Sequence, residues 1–325
     1  MSGIGHDVNA PKVSIVVLNW NRTADTLACL ASLAETAYAN FEVIVVDNGS
    51  EVSCGGEVER VHPWCRVLEL EENLGYAGGN NVGLRRALDT GADFVWVLNN
   101  DATVTADALG HLVGAALAHR RAAAVGGRVL RADRPEVLWA TWGRVTWLQS
   151  LIALVGHGEP DSPRFDGERQ VEWLPGCSIL FRRAALEEVG LFDERYFAYH
   201  EDVEWAARAR AARWQLWYTG EARVLHAANT SSGGEEASYT GFRSYLSARN
   251  SVLFARRHGR WHQCARMAAA IVLTLPFQWA RRALRGQQQG VGLKLRGWRD
   301  GLVEAPLPLV ELGLRPGAGQ AGETR

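Results

Sequence analysis

The sequence of 325 residues contains few cysteines, and their spacing gives no sign of a shared structural role. There are five of them: Cys29, Cys54, Cys65, Cys177 and Cys264. An odd number of scattered cysteines without a C-x-x-C pair argues against a disulfide framework and a structural zinc site. The cysteine content therefore favours a reducing compartment.

Targeting and membrane-spanning signals are also missing. The first ten residues hold neither a basic region nor an apolar run, so no secretory signal peptide is expected. The longest apolar run, Met267 to Ala280, has 14 residues and is interrupted by Thr274, Pro276 and Gln278. Because a spanning helix needs about 20 apolar residues, the sequence predicts a cytoplasmic protein without a transmembrane helix.

No sign of charge dominates the chain as a whole. The 35 Lys and Arg residues balance 36 Asp and Glu residues, which excludes the basic footprint of nucleic-acid-binding proteins. The charge is uneven, however, since the segment from Arg243 to Arg299 contains 12 Lys or Arg residues and no Asp or Glu. With 47% hydrophobic residues the chain can bury a sizeable core, which excludes disordered and fibrous classes.

The first 100 residues alternate between two hydrophobic periodicities. Val13–Leu18 is an apolar run rich in β-branched residues, typical of a strand buried on both faces, whereas Leu27, Leu30 and Leu33 recur at helical spacing. The elements predicted in this way include strands at Val43–Val46, Arg66–Leu70 and Phe94–Leu98, and helices at Thr23–Leu33 and Asn80–Thr90. Strands that alternate with helices indicate an α/β fold with a mainly parallel sheet.

The second half of the chain is less regular. Its predicted elements are a loop at Gly156–Gly167, a strand at Ser178–Arg182, a helical turn at Ala184–Val189, a helix at Glu201–Ala212 and a strand at Val224–Leu225. Residues 230–238 have the composition of a mobile loop, and the Pro- and Gly-rich tail from Pro306 is expected to be disordered.

Polar clusters follow directly on three of the predicted strands. They are Asn19-Trp20-Asn21, Asp47-Asn48-Gly49-Ser50 and Asn99-Asn100-Asp101. In parallel α/β sheets, ligands bind beyond the carboxyl ends of the strands. We therefore expect three distant chain segments to converge on one crevice.

Residues in and near these clusters have the chemistry of a nucleotide site. Asp101 can hold a divalent cation against a diphosphate, and Asp47 with Asn48 and Ser50 can accept hydrogen bonds from a base or a ribose. Either cluster can equally be an Asx turn that ends its strand. The stretch from Asn73 to Asn80 offers a flexible backbone and free amides before a helix, which suits a diphosphate.

Two further positions are candidates for proton transfer and metal binding. His200-Glu201-Asp202 follows an aromatic run and opens a helix, which suits a general base but is also the pattern of a helix N-cap. Glu204 is a rival carboxylate in the same helix. His226, at the end of the last predicted strand, is either a core histidine or a neutral imidazole that completes a metal site.

Eight blocks of the chain stand in a distinctive order and spacing: VSIVVLNWNR (13–22), FEVIVVDNGS (41–50), ENLGYAGGNNVGL (72–84), VWVLNNDATV (95–104), VEWLPGCSILFRR (171–183), GLFDERYFAYHEDVEWAAR (190–208), ARVLH (222–226) and YLSARN (245–250). In this order and spacing they resemble the family 2 inverting glycosyltransferases of the GT-A fold, especially the bacterial rhamnosyltransferase-like branch. The resemblance implies a Rossmann-like GT-A domain at 11–242, flanked by a flexible N-terminus at 1–10, a basic helical segment at 243–305 and a disordered tail at 306–325.

The same resemblance implies roles for individual residues. Asp202 corresponds to the catalytic base, Asp101 to the last acid of the metal-binding DXD motif, and His226 to a metal ligand of some relatives. The positions implied for nucleotide-sugar binding are Asn19, Asp47, Asn48, Asn73, Gly75, Asn80, Asn100 and Asp101, and those implied for the acceptor side are Trp173, Gly176 and Glu201. Asn99 stands where many members have Asp, which removes one carboxylate from the metal site.

The implied reaction is a single displacement. Asp202 takes the proton of an acceptor hydroxyl that attacks the anomeric carbon, while Mg²⁺ or Mn²⁺ stabilises the departing nucleoside diphosphate. The expected donor is dTDP-L-rhamnose, with UDP-hexoses as the second choice, and the expected acceptor is a glycan or lipid-linked glycan of cell-wall polysaccharide synthesis. The basic segment predicts peripheral attachment to the inner, anionic face of the cell membrane.

Three other classes of protein are weaker interpretations. A nucleotidyltransferase would bring a Gly-rich, basic loop after the first strand, where this chain has Asn19-Trp20-Asn21-Arg22. A nicotinamide dehydrogenase needs a dinucleotide fingerprint that has no match in that loop. A catalytically silent nucleotide-sugar-binding protein would not need Asp101, Asp202 and His226 together.

Overall fold

The computed structural model describes residues 10–227, 241–284 and 289–315, with only the backbone for Arg282 and Gln289. These residues form two compact units that alternate along the chain. The first unit contains residues 10–144, 154–194 and 202–227, and the second contains residues 145–153 and 195–201 and the described residues from 241 onwards. The sequence analysis did not anticipate that two short internal segments belong to the second unit.

The strands of the first unit follow the chain in this order: β1 (Val13–Asn19), β2 (Phe41–Asp47), β3 (Arg66–Glu69), β4 (Phe94–Asn99), β5 (Ala102–Val104), β6 (Ala122–Arg131), β7 (Leu138–Ala140), β10 (Glu168–Val171), β11 (Ser178–Arg182) and β12 (Gln215–His226). Together they form a ten-stranded sheet in the order β10-β12-β6-β11-β4-β1-β2-β3, with β5 on β12 and β7 on β6. The strands β8 (Gly143–Val145) and β9 (Ile152–Leu154) pair separately.

The predicted α/β fold with a parallel sheet is confirmed. The strands β3, β2, β1 and β4 are all parallel, and β6 and β12 form another parallel pair on the other side of the antiparallel strand β11. The centre of the sheet is apolar on both faces, with Ile15, Val16 and Trp96 fully buried. Because β1 pairs in parallel with both β2 and β4, the carboxyl ends of these three strands lie side by side at one edge of the sheet.

Helices flank this sheet. They are α1 (Thr23–Ala34), α2 (Gly55–Val61), α3 (Gly75–Asp89), α4 (Ala108–Ala118), α5 (Arg183–Val189) and α6 (Glu201–Ala211), with short 3₁₀ turns at Pro163–Phe165 and Glu194–Tyr196. The predicted start of the third helix at Asn80 is wrong, because the glycine-rich stretch before it is already helical. A Cβ at Gly83 would lie 2.3 Å from Val16 Cγ1, so the glycines let α3 approach the sheet closely.

The last strand is much longer than the two residues predicted for it. In β12, buried and more exposed residues alternate over much of the strand, and polar residues such as Gln215 and Glu221 interrupt any continuous apolar run. A search for buried apolar runs therefore missed most of this strand. Its length matters because it carries His226 to the same edge of the sheet as the end of β4.

The second unit is mainly helical, as predicted for the basic segment. It contains α7 (Phe242–His258), α8 (Trp261–Ala283) and α9 (Gln289–Leu302). Glycines let α7 and α9 touch along their backbones, since a Cβ at Gly297 would lie 2.4 Å from the carbonyl oxygen of Tyr245. The buried Asp300 accepts a hydrogen bond of 2.8 Å from the Tyr245 hydroxyl. None of the described helices has the length and apolar character needed to cross a membrane.

Three regions were predicted to be flexible, and the described residues include only parts of two of them. The predicted loop at 230–238 lies outside the described residues, as does most of the predicted N-terminal segment 1–10. Of the predicted disordered tail, residues 306–315 are described, and they form turns in which Leu314 is buried. Glu311 in this stretch makes an ion pair of 2.6 Å with Arg296 of α9.

The contact between α7 and α9 gives a stability prediction. Gly297→Ala would place a methyl group against a backbone carbonyl, and we expect it to lower the free energy of unfolding by about 1–3 kcal/mol. Gly292→Ala in the same helix is the matched control, because a Cβ there meets nothing within 4 Å. Since alanine favours helices, the control should raise stability by up to about 1 kcal/mol. Urea denaturation measures both, and equal effects would contradict the close packing.

Candidate active site

The carboxyl ends of β1 and β2 are joined by side-chain hydrogen bonds. Asn19 Nδ2 donates to Asp47 Oδ2 at 3.0 Å and to Ser50 Oγ at 3.2 Å. Asp47 also accepts hydrogen bonds from the backbone amides of Ser50 at 2.9 Å and Cys54 at 2.8 Å. The Asp47 carboxylate therefore fixes the turn after β2, and its predicted contact with a nucleoside stays a prediction.

The same hydrogen bonds determine the ionisation of this carboxylate. Burial by itself raises the pKa of Asp47, but the hydrogen bonds from the amides of Cys54 and Ser50 outweigh it, and the net pKa lies below the ordinary value. Asp47 is therefore ionised at neutral pH. It keeps a negative charge at the centre of the turn, where Asn19 and the amides are oriented by it.

Asn48 connects the turn after β2 to the beginning of α3. Its Nδ2 donates to Asn73 Oδ1 at 2.9 Å and to the Gly75 carbonyl at 3.1 Å. Gly49, the next residue, has a φ of 69°, and a Cβ there would lie 2.4 Å from the carbonyl carbon of Glu72. Only glycine fits this turn. The predicted nucleotide-binding residues Asn48, Asn73 and Gly75 thus form one hydrogen-bonded group.

Asn80 lies fully buried within α3. Its Nδ2 donates to the Tyr76 carbonyl one turn earlier at 2.9 Å, while its Oδ1 has no hydrogen-bond partner among the described residues. A buried acceptor without a donor is costly. Asn80 can therefore accept a hydrogen bond from a bound group or water.

The end of β4 attaches to the end of β1 through Asn100. Its Nδ2 donates to Thr26 Oγ1 at 3.1 Å, and Thr26 in turn donates to Asn19 Oδ1 at 2.8 Å. The three predicted strand-end clusters therefore meet at one edge of the sheet. This convergence was the main structural inference from the sequence, and the structure confirms it.

Asp101 and His226 lie in contact although 125 positions separate them in the sequence. His226 Nε2 is 3.0 Å from Asp101 Oδ1 and 3.3 Å from Asn99 Nδ2. The cause is the antiparallel pairing of β5 with β12, in which His226 stands opposite Ala102. The Trp139 ring packs edge-on against the imidazole, with 4.6 Å between the two ring centroids, and shields it from solvent.

These side chains fit a divalent cation in part. Asp101 supplies a carboxylate and His226 an imidazole, and the buried Asn99 Oδ1 has no hydrogen-bond partner among the described residues. Such oxygen and nitrogen donors suit Mg²⁺ or Mn²⁺. Within the described ranges, no group of three or more His, Cys, Asp or Glu side chains gathers into a metal cluster. Any metal bound at Asp101 and His226 therefore needs further ligands from diphosphate and water.

Asp202, the candidate base, lies at the start of α6. Its Oδ2 accepts a hydrogen bond from the Gly176 amide and its Oδ1 from the Val203 amide, both at 2.8 Å. Burial raises the pKa of Asp202 to about 6, against the lowering effect of these amides. A carboxylate with a pKa near the working pH can both accept and release a proton, which is what general base catalysis requires.

Cys177 is close to both the metal-binding candidates and the candidate base. Its backbone carbonyl accepts a hydrogen bond of 2.9 Å from the Asn99 amide. Burial raises the pKa of the Cys177 thiol, and the charges of Asp101 and Asp202 raise it further. Both carboxylates are therefore within electrostatic range of one residue, although each follows a different strand or loop.

The rival carboxylates of α6 differ from Asp202 in their surroundings. Glu204 is buried and forms a two-oxygen ion pair with Arg208 Nε at 3.0 and 2.8 Å, and Arg208 also donates to the Leu191 carbonyl. Glu204 thus serves to hold a loop, which argues against its use as a base. Glu201, predicted on the acceptor side, is buried with 5% of its surface exposed.

Trp173 and Gly176 frame the remaining part of the site. The Trp173 ring covers Gly143 so closely that a Cβ there would lie 1.8 Å from Cε2 of the indole. The indole Nε1 is buried and has no hydrogen-bond partner among the described residues. The Gly176 carbonyl accepts a hydrogen bond of 2.6 Å from the Tyr76 hydroxyl of α3. The predicted place of Trp173 and Gly176 on the acceptor side stays a prediction.

Sequence reasoning gave no task to three residues of this site. Thr26 and Tyr76 each hold a candidate residue by a hydrogen bond, and Trp139 packs against His226. Thr26 is seven positions from Asn19, but the contacts of Tyr76 with Gly176 and of Trp139 with His226 join residues far apart in sequence. No local pattern reports such contacts.

The comparison with known families decides the identity of the fold and its chemistry. The profile of "Glycosyl transferase family 2" matches residues 14–190, which include all three strand-end clusters and Gly176. The chain belongs to glycosyltransferase family 2. It is therefore a glycosyltransferase, and its sheet and flanking helices are a GT-A fold, as the resemblance implied.

Proteins similar in sequence to this family 2 glycosyltransferase are themselves named as glycosyltransferases. The N-acetylglucosaminyl-diphospho-decaprenol L-rhamnosyltransferase of Mycobacterium tuberculosis is 31% identical over 260 residues, which cover 71% of this chain and 80% of the relative. The low-salt glycan biosynthesis hexosyltransferase Agl10 of Haloferax volcanii is 24% identical, covering 74% of each chain. Both match well beyond the family profile at 14–190.

Solved structures show the same fold. The mannosyltransferase PcManGT from Pyrobaculum calidifontis, solved with GDP-Man and Mn²⁺, superposes with a TM-score of 0.57 over 92% of this chain and 89% of its own, at 18% identity. S. aureus TarS 1–349 superposes with a TM-score of 0.53 over 90% and 78% of the two chains, also at 18% identity.

Proposed function

We propose that this family 2 enzyme transfers a sugar from a nucleotide-sugar donor to a hydroxyl of a glycan or lipid-linked glycan, with inversion at the anomeric carbon. One observation carries the proposal: the Gly176 amide donates to Asp202, and the next residue, Cys177, accepts the Asn99 amide, so two consecutive residues link the candidate base to the Asp101–His226 pair. An inverting displacement needs one base and a stabilised leaving group, and this arrangement offers both. A silent binding protein or a nucleotidyltransferase has no use for such a base.

In the proposed mechanism, each group of the site has one task. Asp202, held by the amides of Gly176 and Val203, takes the proton of the acceptor hydroxyl as it attacks. The group formed by Asn48, Asn73 and Gly75 and the turn at Asp47 bind the nucleotide. Asp101 and His226 would hold Mg²⁺ or Mn²⁺, which acts as a Lewis acid on the leaving diphosphate.

For the donor we propose L-rhamnose from dTDP-L-rhamnose, with UDP-hexoses as the second candidate. The support is the NND sequence at Asn99 to Asp101 and the 31% identity to an enzyme named as an L-rhamnosyltransferase. Thermal-shift measurements with dTDP, UDP and GDP, each with and without Mn²⁺, test this choice. A tenfold preference for dTDP corresponds to about 1.4 kcal/mol. A larger shift with UDP would contradict the rhamnose assignment.

For the acceptor we propose a lipid-linked glycan, which requires the enzyme to work at a membrane surface. The exposed surface of α8 supports this, because it carries five large apolar side chains. They are Trp261 (82%), Val272 (69%), Leu273 (70%), Phe277 (78%) and Trp279 (56%). At about 100° per residue, Trp261, Val272 and Trp279 lie along one side of the helix, and Leu273 and Phe277 lie along the adjacent side. A large exposed apolar patch marks an interaction site.

The charge around this face points to an anionic surface. The segment Arg243 to Arg299 contains 12 Lys or Arg residues and no Asp or Glu, and Arg266 and Arg281 lie on α8 itself. Each basic residue close to an anionic leaflet contributes about 1 kcal/mol of attraction, and the apolar face adds its burial. We therefore propose peripheral attachment at the inner face of the cell membrane, in cell-wall polysaccharide synthesis.

Flotation with liposomes tests the attachment in the full-length chain. The wild-type protein should float with vesicles of anionic lipid, much less with neutral vesicles, and lose binding at high salt. Leu273→Asp combined with Phe277→Asp should abolish flotation, because two charges are placed on the apolar face. Leu117→Asp is the matched control, since Leu117 is 52% exposed on α4 of the first unit. Equal flotation of both variants would return α8 to an ordinary surface helix.

A further inference from the structure

The segment that leads into the catalytic carboxylate has an unusual backbone. Phe197, Tyr199 and His200 have φ angles of 59°, 71° and 69°. None of them is glycine, and side chains with a Cβ rarely occupy this left-handed region. Such conformations persist only where neighbouring groups hold them, and they concentrate at functional sites.

One side chain of α7 holds this segment. Asn250 is fully buried, and its Nδ2 donates to the carbonyl oxygens of Tyr196 at 2.8 Å, Ala198 at 2.9 Å and Tyr199 at 2.8 Å. The three acceptors belong to consecutive or nearly consecutive residues. A single amide group therefore fixes the path of the backbone through the left-handed turn.

Arg249 supports Asn250 from the neighbouring position. Its guanidinium donates to the Asn250 Oδ1 at 3.0 Å, which fixes the orientation of the amide so that Nδ2 faces the three carbonyls. It also donates to the Arg195 carbonyl at 2.9 Å, at the beginning of the same segment. The two residues are the last of the YLSARN block, to which the proposed mechanism gives no role.

The segment continues through Glu201 directly into Asp202. A change in the backbone at residues 197–200 must be absorbed within two residues of the carboxylate. Asp202 tolerates little displacement, because both of its oxygens accept backbone hydrogen bonds of 2.8 Å. Misplacement of a reacting group by about 1 Å can cost a factor of about 10² in rate.

We propose that Asn250 is a positioning residue for the transfer reaction: its amide holds the left-handed turn at 197–200, and that turn sets the position of Asp202. The inference rests on the proposed function, since it assigns Asn250 to the base of that reaction. Asn250 itself touches no reacting atom. Its effect is on the chemical step and not on the affinity for the nucleotide.

Two substitutions and one control test this role in the full-length chain. Asn250→Asp has nearly the same shape but no N–H donor, and Asn250→Ala removes the group. Ser251→Ala is the matched control: Ser251 is the next residue, is equally buried, and donates only to the Ala248 carbonyl of its own helix at 2.8 Å. The readouts are kcat and KM for hydrolysis of dTDP-L-rhamnose and UDP-glucose, and hydrogen exchange of the peptide covering 195–203.

We expect both Asn250 variants to lower kcat at least tenfold with KM changed less than twofold, and to speed exchange in 195–203 alone. Ser251→Ala should match the wild type in all three. The proposal is overturned if kcat is unchanged, if KM rises instead, if exchange rises throughout the chain, or if neither variant folds. Should the wild type hydrolyse neither donor, the proposed reaction fails for these donors, and the exchange data then show separately whether Asn250 holds the segment.

Discussion

Asp202→Asn is expected to lower sugar transfer by at least the roughly 10²-fold that a general base contributes, with nucleotide affinity unchanged. Asparagine keeps the size of the side chain but only one acceptor oxygen, so it retains one of the two hydrogen bonds from the amides of Gly176 and Val203 and cannot act as a base. The nucleotide contacts proposed at Asn48 and Asn73 lie on other elements. The split between kcat and nucleotide binding, measured by steady-state kinetics and calorimetry, identifies the base.

The pH dependence of transfer should report the same residue. Because burial raises the pKa of Asp202 to about 6, the base is protonated and inactive below that pH, and the rate should rise through pH 6 to a plateau. An ordinary aspartate would give its rise near pH 4. His200 does not contribute a step near pH 6, because burial lowers its pKa to about 4.

Two other variants separate the alternatives for the base. Glu201→Gln changes the neighbouring carboxylate, and Glu221→Gln removes an exposed carboxylate of β12 as a control for the loss of charge alone. The control should behave as the wild type. If Asp202→Asn keeps the wild-type rate and Glu201→Gln loses it, the base is Glu201 and our assignment is wrong.

Removal of Asp101 or His226 should weaken Mn²⁺-dependent binding of the nucleotide at least tenfold, which is the smaller cost of losing even an outer partner of a metal site. The two side chains lie 3.0 Å apart, so each substitution would remove one of the ligands proposed for the metal. Calorimetry with dTDP and Mn²⁺ measures the effect in Asp101→Asn and His226→Ala. A chelator should weaken nucleotide binding to the wild type in the same way.

Controls for this experiment come from the same chain. His111→Ala removes a histidine of α4 whose side chain is 41% exposed, and should leave Mn²⁺ binding unchanged. Asn99→Asp restores a carboxylate next to His226 and should tighten Mn²⁺ binding. Normal Mn²⁺ and nucleotide binding by His226→Ala would show that His226 is a core histidine that packs against Trp139.

The parts of the fold that the sequence predicted share one property, which is a strong local pattern. The strands β1, β2, β4 and β11 are built mainly from apolar residues. Each predicted end of these strands lies within two residues of the observed end. In contrast, β12 alternates in exposure, and the glycines of α3 were interpreted as flexible although they serve close packing against β1. Local propensity cannot show which helix packs against which strand.

The candidate site likewise contains residues that a local pattern predicted and residues that no local pattern predicted. Its strand-end residues could be predicted because parallel strands bring their carboxyl ends to one edge. The contact of His226 with Asp101 came from a family resemblance, and its physical cause is the pairing of β5 with β12. Asn250 could not be assigned a task, because its partners are backbone carbonyls about 50 positions away that carry no side-chain signal.

The central claim is that this glycosyltransferase inverts the anomeric carbon of a nucleotide sugar with Asp202 as the base. The most direct measurement is proton NMR of the sugar released by slow hydrolysis of dTDP-L-rhamnose, and of a panel of UDP-hexoses, in the first minutes before mutarotation. We predict that the first sugar to appear has the anomeric configuration opposite to the donor, and that Asp202→Asn releases it at least about 100-fold more slowly. Release with retained configuration, or equal release by the variant, would contradict the account.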